Sequence, residues 1–186
     1  MPPKVKITRE DIINATLQLV RTSGQQSINA RAVAAALGCS TQPVFSNFAT
    51  MEDLHFAVAQ QAVELYREYT RREISGGEYP VYKASGMAYI RFAKEEKELF
   101  KFLFMCDRSV ADMPQSTALF DEMMGVVQTN TGLKDEDAKL FHLEVWAFVH
   151  GVATMFATGY LDLEWELVSH MLTDLYLGLR KQHTME

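Results

Sequence analysis

Residues 38–54 read GCSTQPVFSNFATMEDL. Gly38 can take the left-handed conformation that stops a helix. One residue later Ser40 offers a hydroxyl that can cap a new one. Pro43 then falls in a first helical turn, where a missing N–H costs nothing. Val44, Phe45 and Phe48 give this helix an apolar face, and Thr41, Gln42, Ser46 and Asn47 give it a small polar one. On the upstream side Asn29 is a good N-cap for a helix over 30–37, with Val33 and Leu37 turned inward. Ala32, Ala34, Ala35 and Ala36 keep that helix narrow. Two short helices joined by Gly38-Cys39-Ser40 predict a helix-turn-helix. The first helix packs closely, while the second shows polar side chains to a DNA major groove. Glutamine and asparagine can pair with adenine edges, and serine or threonine with several partners. Hairpins of this length also occur in proteins that bind nothing, so geometry alone leaves both readings open.

The pattern on either side is helical throughout. Thr8, with Asp11 three residues on, forms a capping-box variant, and Ile13, Leu17 and Val20 line the helix it opens. Gly24 closes that helix. Thr50 and Asp53 repeat the cap for a fourth helix, whose stripe of Met51, Leu54, Val58, Ala62, Leu65 and Tyr69 persists to the break at Ser75-Gly76-Gly77. Pro80 opens a fifth helix and residues 98–106 form a short apolar sixth. After the break at Met113-Pro114, a seventh carries Phe120, Met123, Met124 and Val127 and ends near Thr131-Gly132. An eighth runs over 135–160, and Val168, Met171, Leu172, Leu175 and Leu179 mark a ninth. Strict alternation is absent, so the expected fold is all-α with nine helices.

The chain has 186 residues, 48% apolar and 23% charged, the balance of an ordinary globular protein. Two cysteines, Cys39 and Cys106, cannot build a disulfide framework and fit a reducing compartment. No apolar run follows the first lysines, so no secretory signal is expected and the cytoplasm is the expected location. The longest uncharged apolar stretch, 145–161, contains His150, Gly151 and Gly159, which argues against a membrane span. Net charge is −6, but it is unevenly spread. Residues 1–50 hold Lys4, Lys6, Arg9, Arg21 and Arg31 against Glu10 and Asp11, whereas the remainder is strongly acidic. A basic head on an acidic body lets one end approach a polyanion.

The string 38–54 behind a basic, capped helix resembles the TetR family of bacterial repressors. That family's pattern is a glycine turn, Ser/Thr, a Leu-Tyr-x-His-Phe core and then Lys-Glu-x-Leu. The likeness is specific over about residues 8–60, and helix number and order agree beyond it. It implies an N-terminal DNA-binding domain over 1–50 and an effector-binding and dimerisation domain over 51–186. It also implies a double-stranded DNA operator, a homodimer and a small-molecule effector, with no cofactor. The expected DNA-contacting residues are Lys4, Lys6, Arg9, Arg31, Ser40, Thr41, Gln42, Phe45, Ser46 and Asn47. Three positions depart from the pattern. Phe45 stands where the family usually has a tyrosine that reaches phosphate, Asn47 replaces the usual histidine, and Met51 replaces a phosphate-contacting lysine. From 32 to 51 there is no charged residue at all. Phosphate affinity must then come from Lys4, Lys6, Arg9, Arg31, backbone donors and helix N-termini.

In the body, Trp146, His150 and Gly151 resemble the Trp…His-Gly signature of one group of TetR C-terminal domains. In such proteins the eighth and ninth helices usually form a four-helix dimer interface. Gly151, Ala153, Ala157 and Gly159 are small enough to permit close helix approach, although the same helix could instead be the buried centre of a monomer. The resemblance further implies a pocket lined by aromatic and methionine side chains. Its candidates are Tyr66, Tyr89, Phe92, Phe104, Met105, Met124 and Trp146, with Cys106 and His150 as polar anchors, against a plain reading of all of them as core. No nucleophile triad, Gly-rich phosphate loop or paired cysteine site is present, and His142 and His150 lack the spacing that places two ligands on one metal, so no enzyme is expected. The expected function is a ligand-responsive repressor. The rival is a helical adaptor that has lost DNA binding, favoured by the uncharged second helix of the hairpin and by Met51.

Overall fold

A computed structural model describes residues 7–105 and 114–183, with side chains in the second segment described from 121 onward. Among the described residues there are nine α-helices and no strand: α1 (Arg9–Ser23), α2 (Ala30–Ala36), α3 (Gln42–Asn47), α4 (Met51–Gly76), α5 (Val81–Glu95), α6 (Lys97–Phe104), α7 (Pro114–Thr131), α8 (Asp135–Thr158) and α9 (Trp165–His183). One 3-10 turn, Gln25–Ser27, links α1 to α2. The chain divides into two compact units. The first runs through Leu65 and takes up again at Glu98 with α6, and the second holds 66–97 and the residues after α6. Both therefore contain part of α4, whereas the expected functional boundary lies before that helix, at 50/51.

In the first unit local chemistry sets each helix end. Thr8 Oγ1 accepts from Asp11 N at 3.1 Å, while Asp11 Oδ2 accepts from Thr8 N at 2.8 Å, a closed capping box. The Thr8 hydroxyl, which donates to Asp11 Oδ2 at 2.7 Å, and then the Thr8 N–H hold the Asp11 carboxyl below the usual carboxylate range. Gly24 ends α1 at φ 75° and ψ 173°, a conformation essentially restricted to glycine. Thr50 and Asp53 repeat the reciprocal cap at the start of α4, at 3.1 and 2.9 Å. Ile12, Val20, Val33, Val44, Leu54 and Val58 are completely buried and form the centre of the unit together with Leu99 and Phe100 of α6.

In the second unit α5 is the hub. It runs in the same sense as α8, where Tyr82 meets His142 and Tyr89 meets His150, and opposite to α9, where Lys83 meets Ser169 and Thr173 and Arg91 lies over the Trp165 ring. Gly86 permits this approach, since a Cβ there would lie 3.1 Å from Leu172 Cδ2 and 3.5 Å from Val149. Met87, Ile90, Phe141, Ala153 and Val168 on these helices are fully buried, and so is Phe92, which packs against Tyr66 and Tyr69 of α4. Gly159, left-handed at φ 70°, ends α8. Among the described residues, α8 is the one helix long and apolar enough to cross a membrane, by length and composition only, and 44% of its most apolar window is buried in the fold.

Candidate nucleic-acid interface

The turn between α2 and α3 is built by backbone hydrogen bonds around one glycine. Asn29 accepts from Ala32 N at 2.9 Å and opens α2. At the other end Gly38 N donates to Ala35 O at 3.1 Å and Cys39 N to Ala34 O at 2.9 Å, with Gly38 at φ 64°. That pair of bonds is a Schellman motif, which satisfies the last carbonyls and reverses the chain. The expected cap of α3 needs one correction. Thr41, not Ser40, occupies the N-cap, and it makes no side-chain cap bond, because its backbone is already helical at φ −71° and ψ −13°. The Thr41 carbonyl instead accepts from Val44 N and Phe45 N at 3.1 and 3.3 Å. Ser40 is exposed just ahead of the helix.

α3 has two unlike sides. Val44 and Phe48 are buried and anchor it. Gln42, Phe45 and Ser46 are exposed, while Thr41 and Asn47 are half-buried. Phe45 keeps 55% of its surface exposed. Ser46 Oγ donates to Gln42 O at 2.9 Å, and Asn47 Nδ2 donates to Pro43 O at 2.8 Å. Arg9, at the start of α1, lies with its guanidinium carbon 4.7 Å from the centre of the Phe48 ring. This cation–π contact ties a basic side chain to the end of α3, a partnership that charge counting alone does not reveal. Arg31 is exposed in the first turn of α2. Lys4 and Lys6 lie outside the described residues.

Of the expected effector-pocket residues, the structure joins five in one chain of rings within the second unit. Tyr66 meets Tyr89 edge to face at 5.9 Å and Phe92 at 5.6 Å. Tyr89 Oη lies 2.9 Å from His150 Nδ1, and His150 stacks on Trp146 at 5.0 Å. Burial pushes the Tyr66 hydroxyl up to about 12, so it stays a neutral phenol. Met124 is half-buried on α7. Phe104 packs on Phe100 in the first unit, where Met105 is exposed, and Cys106 lies outside the described residues. Sequence reasoning missed a second pair beside the first: Tyr82 Oη lies 3.1 Å from His142 Nδ1. The signal was present, since Tyr82 and Tyr89 stand two turns apart on α5, as do His142 and His150 on α8. Among the described residues no group of three His, Cys, Asp or Glu side chains could hold a metal ion.

α8 and α9 also carry exposed apolar residues. Leu140, Leu143 and Trp146 on α8 are 51%, 42% and 38% exposed, and Leu167 and Leu177 on α9 are likewise open.

Comparison with known proteins places this architecture. The family described as "Tetracyclin repressor-like, C-terminal domain" matches residues 82–175. A TetR-like transcriptional regulator from Rhodococcus sp. RHA1 is similar at a TM-score of 0.71 and 15% identity, covering 95% of this chain and 96% of that one. A member of the TetR family from Streptomyces coelicolor A3 is similar at a TM-score of 0.62 and 20% identity, covering 90% and 96%. The multidrug binding protein EbrR, in complex with ethidium, is similar at a TM-score of 0.63 and 19% identity, also covering 90% and 96%. No curated protein sequence matches the chain.

Proposed function

Because the chain belongs to the TetR family, we propose that it is a sequence-specific DNA-binding transcriptional regulator, a homodimeric repressor that releases a near-palindromic operator when a small molecule binds. The observation that carries this reading is α3: a short helix anchored by Val44 and Phe48 behind a Schellman turn, with Gln42, Phe45 and Ser46 exposed. In this reading residues 1–50 bind DNA, with Gln42 and Asn47 influencing base choice and Lys4, Lys6, Arg9 and Arg31 meeting phosphates. Residues 51–186 bind the effector and dimerise.

The exposed leucines of α8 and α9 support self-association, which would set two heads on successive major grooves about 34–36 Å apart. The Tyr66–Tyr89–His150–Trp146 chain of rings supports an aromatic-lined effector site, and the likeness to a multidrug binding protein is consistent with it. α4 supports coupling, since it begins directly after the α3 cap, and its later turns supply Tyr66 to that chain of rings. The expected compartment is the cytoplasm, and no catalytic step is part of the reading.

One observation favours the rival, a helical adaptor without DNA binding: the absence of charge from 32 to 51. A gel-shift of the full chain on the DNA upstream of its own gene separates the two. A retarded, sequence-dependent complex supports the regulator, and no shift even at low salt supports the adaptor.

A further inference from the structure

If α3 enters a major groove, its own hydrogen bonds already limit what it can recognise there. Asn47 gives one of its two amide protons to the Pro43 carbonyl at 2.8 Å, which leaves Oδ1 and a single N–H to meet a partner. Ser46 gives its only hydroxyl proton to the Gln42 carbonyl at 2.9 Å, and its oxygen lies 3.4 Å from Gln42 Nε2. The polar side of α3 therefore keeps more lone pairs than protons: Asn47 Oδ1, Gln42 Oε1 and Ser46 Oγ, against one remaining N–H each on Asn47 and Gln42. Beside Gln42, three residues along the exposed side, stands the ring of Phe45, 55% exposed. Within 32–51 no arginine or lysine is available for the bidentate contact to guanine O6 and N7 that DNA readers use most often. In a major groove the hydrogen-bond donors are the adenine N6 and cytosine N4 amino groups, and only the adenine pair also carries an apolar feature, the thymine C5-methyl.

We propose that α3 selects A·T pairs, with Phe45 packed on a thymine methyl and Gln42 Oε1 accepting from the paired strand's adenine N6, while guanine goes unread by this helix. This deepens the DNA-binding reading and rests on it.

The test starts from a random-sequence duplex pool selected with the full chain at low salt. Each thymine of the enriched site is then replaced by uracil, which deletes only the methyl group, and each adenine by purine, which deletes only N6. Affinities are read by fluorescence anisotropy. The expected result is a half-site with A·T pairs at its core and at least one thymine whose uracil replacement weakens binding about fourfold, the worth of one buried methyl. In Phe45→Ala that same replacement has no effect. The variant removes an exposed ring, and its thermal melt verifies that it folds. An enriched site in which every thymine tolerates uracil overturns the assignment and leaves DNA binding standing. So does a uracil effect that persists in Phe45→Ala, or a dominant loss on 7-deazaguanine substitution. A pool that yields no enrichment overturns both.

Discussion

Gly24 and His142 each show how one residue is held by its surroundings. Gly24 sits at φ 75° and ψ 173°, and a Cβ there would come within 2.6 Å of Gln26 and 2.9 Å of Glu98. Gly24→Ala is therefore expected to cost about 1–3 kcal/mol from backbone strain alone, read as a lowered Tm. An unchanged Tm would contradict the assigned conformation. His142 is buried against Tyr82, and burial lowers its pKa below 6.5. The folded state thus prefers the neutral ring, and the unfolded chain takes up the proton first. Stability from this residue is complete above 6.5 and is lost as pH falls toward the lowered folded value. His55, desolvated against Phe102, acts with the same sign. Denaturant unfolding should show the stability gap between wild type and His142→Gln narrowing on acidification below 6.5, and a constant gap would contradict the account. The caps at Thr8, Asn29 and Thr50 were legible in the sequence, because each needs only a side-chain oxygen and a donor three residues on. The start of α3 was not. Ser40 and Thr41 both carry hydroxyls, and the choice is made by where the Schellman turn releases the backbone. The Tyr–His pairs were legible as spacing and not as partners, since periodicity does not say which faces meet across 60 residues.

At the level of the helices, the departures in α3 and α4 carry a measurable consequence. Each phosphate contact contributes about −0.9 to the slope of log affinity against log salt. Met51→Lys, restoring the basic side chain that the family pattern has there, should tighten binding to all sequences and steepen the slope by about 0.9 for each head. Lys4→Ala and Lys6→Ala should do the reverse, while Gln42→Ala should cost about 1–3 kcal/mol at preferred sites and flatten discrimination. A salt slope unmoved by Met51→Lys would remove the start of α4 from the interface. On α8, Leu143→Glu places a charge on a side chain already 42% exposed, so helicity should hold. Sedimentation should then report a monomer where the unaltered chain gives a dimer, and a dimer in both would move the interface elsewhere. The apolar pattern of α8 announced a helix with much buried surface. It did not separate the side facing α5 from the side left open, because Leu140, Phe141, Leu143 and Val145 are all apolar.

Over the whole molecule, the number and order of helices followed from caps and breaks. The division into compact units did not, because α4 is continuous across the boundary at 65/66 and α6 belongs with the first unit despite its place in the chain. A helix shared in this way can bias DNA affinity through ligand binding, given a ligand that prefers one of two head arrangements. A coupling of about 1–3 kcal/mol changes operator affinity about 5–150-fold and must act equally in reverse. Calorimetry of an identified effector with and without saturating operator should therefore give different affinities, and equal ones would leave α4 a strut. Beneath all of this stands the claim that two copies of the chain read one stretch of DNA. Sedimentation of the full chain with a labelled duplex carrying the selected near-palindrome tests it. The account predicts a complex of two chains per duplex that an unlabelled copy of the site displaces and a scrambled duplex does not. No complex at low salt, or equal displacement by the scrambled duplex, would contradict it.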